Sequence, residues 1–73
     1  MTFQRGDLVD FSTNTYHVRS RIISYWVAGD YYEVEVLRVG SGGYAWRAGQ
    51  RTFFLEENLR PVPALEQLAE QAA

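Results

Sequence analysis

The sequence predicts an all-β domain: five short strands wrapped into a small barrel, a one-turn helix before the last strand, and a short helical tail. Three observations carry this expectation. Gly6-Asp7 is a turn pair that delivers the chain into an apolar stretch beginning Leu8-Val9. Tyr32, Val34 and Val36 alternate with Glu33 and Glu35, the clearest period of two in the chain. Glu56-Glu57-Asn58-Leu59-Arg60-Pro61 reads as one tight helical turn that returns the chain to a closing strand. Residues 1–63 are assigned to the barrel and 64–73 to the tail.

The remaining elements follow in order. The first strand covers Asp7 to Phe11, with Val9 and Phe11 on one face and Leu8 and Asp10 on the other. Ser12-Thr13-Asn14-Thr15 is a polar turn cluster, and the second strand runs from about Val18 to Val27. The hairpin that follows has two readings. A two-residue turn at Gly29-Asp30 pairs Val27 with Tyr32, turns Ile23, Tyr25 and Val27 inward, and leaves Trp26 outside. A loop of Ala28-Gly29-Asp30 pairs Trp26 with Tyr32 and Ile22 with Val36, and makes Trp26 core. Between Arg38 and Gln50, Gly40, Gly42, Gly43 and Gly49 surround Tyr44-Ala45-Trp46-Arg47, so a loop or distorted hairpin is expected. Arg51 to Leu55 forms the fourth strand, with Phe53 and Leu55 expected inward. Arg60-Pro61-Val62 closes the sheet as a brief strand that tolerates proline. Beyond Pro63, Leu65, Leu68, Ala69 and Ala72 share a helical stripe opposite Glu66 and Glu70. A helix this short is marginal on its own, and a frayed tail is expected over a docked one.

Composition narrows the function classes. At 73 residues there is room for one core, and 47% hydrophobic with 15% aromatic residues is rich enough to fold. Cysteine is absent, which excludes disulfides and thiolate metal sites. No apolar run approaches the ~20 residues of a membrane span, and no charged leader precedes an apolar stretch. A cytoplasmic protein without membrane insertion is therefore expected. All seven basic residues are arginine; residues 1–62 balance them with seven acids, and Glu66 and Glu70 supply the net −2. With no block of like charge, the electrostatic footprint of a duplex-binding protein is missing.

Phe3-Gln4-Arg5-Gly6-Asp7-Leu8-Val9-Asp10 and Asn58-Leu59-Arg60-Pro61-Val62-Pro63 resemble the opening and closing strings of Agenet domains. With five strands and a one-turn helix, residues 3–63 look like the SH3-like barrel of the Tudor and Agenet group. Tudor readers hold methylated cations in an aromatic cage, whose positions fall here near Thr13, Val18 and Leu37. None of these is aromatic, so the resemblance implies the architecture without that ligand. Type II dihydrofolate reductases are similar in opening and closing strand, but Arg51-Thr52-Phe53-Phe54 stands where their reactive strand carries its glutamine. Small SH3-like accessory subunits of photosynthetic electron-transfer complexes are similar around Phe53 to Leu59, which implies a scaffold role.

No constellation in the sequence points to catalysis, and neither cofactor nor metal is expected. His17 is the single histidine, with Asp10 its one plausible carboxylate neighbour. Gly40-Ser41-Gly42-Gly43 lacks the lysine and following helix of a phosphate loop. Glu33 and Glu35 are expected to pair across strands with Arg19 and Arg21. What remains is a binding surface of Tyr16, Arg19, Arg21, Tyr25, Trp26, Tyr44, Trp46 and Arg47, because aromatic and arginine side chains dominate interface hot spots. The expected function is a non-catalytic adaptor that docks on a protein through the 38–50 loop and its flanking strand, as a monomer or weak homodimer. The alternative is a nucleic-acid accessory protein that stacks bases on the same rings; a second alternative is a small subunit of a larger, for example electron-transfer, complex.

Overall fold

The computed structural model describes residues 2–13, 17–40, 42 and 45–72, the last two of these by backbone alone. Five antiparallel strands form one sheet: β1 (Leu8–Ser12), β2 (His17–Trp26), β3 (Tyr31–Val39), β4 (Arg51–Leu55) and β5 (Leu59–Pro61). A 3-10 turn, Glu56–Asn58, joins β4 to β5, and a helix, α1 (Ala64–Ala72), follows β5. The strand order is β4-β3-β2-β1-β5. Among the described residues no ladder joins β4 to β5, so the hydrogen-bonded sheet is open.

The sheet is nonetheless strongly curled. Three strand steps of about 4.8 Å separate β4 from β1 in a flat sheet, roughly 14 Å in all. Yet Phe54 of β4 and Phe11 of β1 stack with ring centroids 4.2 Å apart. Side chains of the concave face make the core: Phe3, Val9, Ile22, Tyr32, Val34, Phe54 and Leu59 are buried together. Gly6 starts this wrap at φ 92°, where a side chain would be strained, and its N–H donates to the Ile22 carbonyl at 2.8 Å. The Tyr32 hydroxyl then fastens the chain ahead of β1. It accepts from the Thr2 and Phe3 amides at 2.9 and 3.0 Å and donates to Glu56 Oε1 at 2.9 Å. The Thr2 side chain, the Tyr32 hydroxyl and the Thr2 amide, in that order, hold the Glu56 carboxyl below its usual range.

The β2–β3 hairpin follows neither of the two registers read from the sequence. Its loop has four residues, Val27 to Asp30, and Trp26 pairs with Tyr31 while Tyr25 pairs with Tyr32. A bulge at Ile23 then shifts the register, so that Ile22 faces Val34. Each reading was half right: Tyr25 and Ile22 both turn inward because an extra residue separates them, and Trp26 is outside. A second bulge, at Leu37, shifts β3 against Arg19 and Ser20. In β4 the expected faces are reversed: Phe54, opposite Tyr32, is core, and Phe53, opposite Glu33, is half exposed.

Ser20 Oγ is fully buried between Val9 and Val36, with no hydrogen-bond partner among the described residues. An unsatisfied buried hydroxyl costs about 1–3 kcal/mol. Ser20→Ala is therefore expected to stabilise the fold by about 1 kcal/mol, read as a raised urea midpoint at unchanged slope.

The tail is docked rather than frayed, and it docks by its charged side. Arg19 is 3% exposed and grips Asp10 with a two-pronged fork, Nε to Oδ1 at 2.9 Å and Nη2 to Oδ2 at 3.0 Å. Its Nη2 also donates to Glu66 at 3.2 Å, and its Nη1 to Glu70 at 3.1 Å. Glu70 is bridged a second time by Arg38 at 2.6 Å. The Asp10 bond, then the two glutamates, raise the Arg19 guanidinium above the ordinary arginine range despite its burial. The expected Arg19 pairing with Glu33 or Glu35 is thus corrected: Asp10, directly opposite on β1, is nearer, and Glu33 instead accepts from Ser24 Oγ at 3.1 Å.

Candidate partner-binding surface

Strand pairing lays out the convex face of β2, β3 and β4 in rows. Trp26, Tyr31 and Leu55 form one; Ser24, Glu33 and Phe53 the next; Arg21, Glu35 and Arg51 the third. Alternation on β3 puts Tyr31, Glu33 and Glu35 here, because Tyr32, Val34 and Val36 are taken by the core. Trp26 is 53% exposed, Phe53 50% and Tyr31 42%. The Trp26 and Phe53 rings meet edge to face at 5.8 Å, so the two are held by each other while both remain open to solvent. Val27, at the hairpin loop, extends the apolar area. The result is a shallow aromatic patch at one end of the face, bordered by a row of mixed charge.

The hairpin loop fixes one end of the patch. Gly29 has φ 97°, and a Cβ there would come within 2.6 Å of the Tyr31 ring, so glycine lets that ring lie over the turn. Asp30 is also left-handed, at φ 58°, and accepts a 2.6 Å hydrogen bond from the Tyr25 hydroxyl. That bond to Asp30 leads the causes that push the Tyr25 hydroxyl up to about 12. A raised phenol pKa means stability is fully present below the ordinary tyrosine range near 10 and is lost as pH climbs from there towards 12. Absorbance titration at 295 nm is expected to show a late-ionising tyrosine that moves down in Asp30→Asn. An unchanged titration in Asp30→Asn would contradict the assignment.

The sequence-predicted residues are dispersed by the fold. Arg21 and Trp26 stand on the convex face. Tyr25 is on the concave side, half buried with its ring 4.9 Å from that of Tyr32. Arg19 is enclosed beneath α1, so it is not a surface group while the helix is docked. Trp46 folds onto the core, with its ring 5.7 Å from Phe11 and 6.0 Å from Phe54. Arg47 is exposed in the loop, where its amide donates to Gln50 Oε1 at 3.0 Å. Tyr16 and Tyr44 lie outside the described residues. Sequence reasoning missed Tyr31 and Phe53. A signal for Phe53 was present: Phe53-Phe54 are adjacent in a strand, and one of two neighbours must face away from the core.

His17 Nε2 lies 3.7 Å from Asp10 Oδ1, the neighbour expected for it. Among the described residues no three His, Cys, Asp or Glu side chains gather as metal ligands. No helix there is long and apolar enough to cross a membrane. Comparison with protein-family models, with curated proteins and with solved structures gave no match.

Proposed function

We propose that the chain is an SH3-like barrel of the Tudor type that serves as a non-catalytic protein-docking module, with Trp26, Tyr31 and Phe53 as its contact surface. The barrel assignment is supported by the curl that stacks Phe11 on Phe54, and by the 3-10 turn Glu56–Asn58 between the last two strands. The docking role rests on one observation: three large rings stand side by side on the convex face, half exposed, where they stabilise little of the fold. Aromatic side chains offer large contact area at low entropic cost, which is why they anchor interfaces. Arg21 and Arg51, in the adjoining row with Glu35, supply a polar rim. The surface is thus the convex face of β2 to β4, and the 38–50 loop contributes exposed Arg47 beside it in sequence rather than Trp46 as an anchor.

The test is affinity capture by wild type and by Trp26→Ala/Phe53→Ala, followed by amide-shift mapping with the purified captured protein. Binding that is lost in the variant and maps to β2, β3 and β4 supports the reading. Binding that survives the double substitution overturns it. Salt separates the nucleic-acid alternative, because phosphate contacts make affinity fall steeply with ionic strength. A protein docked on rings responds weakly.

A further inference from the structure

The tail helix is docked the wrong way round for an amphipathic helix. Leu65 is 82% exposed and Leu68 62% exposed, while Glu66 and Glu70 face the sheet. An ordinary surface helix turns its leucines inward. Here the reason lies beneath it: Arg19 is buried on the convex face, and Asp10 satisfies only Nε and one Nη2 bond. Arg38, on the neighbouring strand and opposite Arg19, adds a second guanidinium. Among the described residues, the group without α1 holds two guanidiniums against one carboxylate, a formal excess of positive charge. The two glutamates are four residues apart, so one helical turn brings both carboxylates to one side. Glu70 reaches both arginines and Glu66 reaches Arg19.

We propose that Arg19 and Arg38 form a receptor site for acidic helices, that α1 is its resident in cis, and that an acidic helical segment of a partner protein competes with α1 for it. Charge complementarity selects the occupant. The required pattern is two carboxylates one helical turn apart, and the seated α1 displays it. Glu66 and Arg38 are each more than half exposed, so water reaches two of the three ion pairs that seat the helix and can take the place of their partners on exchange. The aromatic patch lies at the other end of the same strands, from Ser24 to Trp26 of β2, so failure of one site leaves the other untouched. Displacement would release α1, whose leucine face is already open to solvent, from the sheet.

The experiment uses the full chain and its Glu66→Gln/Glu70→Gln variant, which empties the site while keeping side-chain shape. The probe is a helical, alanine-rich peptide of about 16 residues carrying two glutamates four apart, with a glutamine version as control. A resident that occupies the site nine-tenths of the time weakens a competitor about tenfold, so the variant should bind the peptide about tenfold tighter than wild type. Amide and guanidinium shifts should fall at Arg19 and Arg38, the glutamine peptide should not bind, and Arg38→Gln in the variant background should abolish binding. Arg38 is largely exposed, so its loss leaves the core intact. Three results would overturn the proposal. One is α1 still docked in the variant by amide protection; another is a variant with α1 released that does not bind the peptide. The third is a short oligothymidylate binding as well as the peptide, which would assign the site to phosphate.

Discussion

Arg19→Met is expected to destabilise the fold by about 3–5 kcal/mol, because it leaves the Asp10 carboxylate buried without its partner. A chain of this length has about 4–11 kcal/mol of stability in total, so the variant is expected to be largely unfolded at physiological temperature. The effect comes from removal of one charge, not from the worth of the pair. Adding Asp10→Asn to Arg19→Met should therefore recover a large part of the loss, as replacement of both members of a buried ion pair often does. Urea denaturation of the two single variants and the double variant gives the coupling directly. Arg19→Lys should not rescue, since one ammonium cannot reproduce the paired Nε and Nη2 bonds to Asp10 together with Nη1 to Glu70. Equal stability for wild type and Arg19→Met would mean that the guanidinium is not buried against Asp10 at all.

The second large effect separates two adjacent residues. Phe54→Ala should cost about 3–5 kcal/mol, the usual range for a buried ring truncated in a close-packed core. Its ring stacks on Phe11 and also meets Trp46, so truncation empties the point where β1, β4 and the glycine-rich loop converge. Phe53→Ala, one position earlier, should cost less than about 1 kcal/mol, since its ring is half in water and meets Trp26 edge to face rather than filling the core. Thermal or urea midpoints of the pair settle which phenylalanine is core. A larger loss at Phe53 would place β4 in the opposite register.

The contrast between these two rings shows where sequence reasoning runs short. Tyr32, Val34 and Val36 alternate with glutamates, and that pattern correctly orients β3 because one face is buried and the other wet. Gly6-Asp7 and Glu56–Asn58 are legible because each imposes a backbone geometry that few residue types suit. β4 carries no alternation: Phe53-Phe54-Leu55 is apolar throughout, and only its pairing with Tyr31, Tyr32 and Glu33 decides which ring turns inward. The bulges at Ile23 and Leu37 leave no mark in composition, yet one of them decides that both Ile22 and Tyr25 reach the core. The site suffered from the same gap. The sequence marks Trp26 without deciding its face, whereas Tyr31 and Phe53 become its neighbours only through register.

The tail illustrates a different failure. Leucines at positions 65 and 68 form an apolar stripe on a tail expected to fray, and the helix in fact docks with its other side down. What the linear sequence could not supply was a buried arginine on β2 with bonds to spare, which makes carboxylates the better match for the sheet. A charge placed in the fold by strand pairing outweighs the hydrophobic pattern of a helix only nine residues long.

The two tryptophans are divided by the sheet, Trp26 outside on the convex face and Trp46 packed on the core. Acrylamide quenching of Trp46→Phe and Trp26→Phe tests this most directly, since each variant retains one indole. The Trp46→Phe protein, reporting Trp26, should emit at longer wavelength and quench readily. The Trp26→Phe protein, reporting Trp46, should emit at shorter wavelength and resist quenching. The opposite pattern, a protected Trp26 and an open Trp46, would remove the aromatic patch from the surface and contradict the register on which it depends.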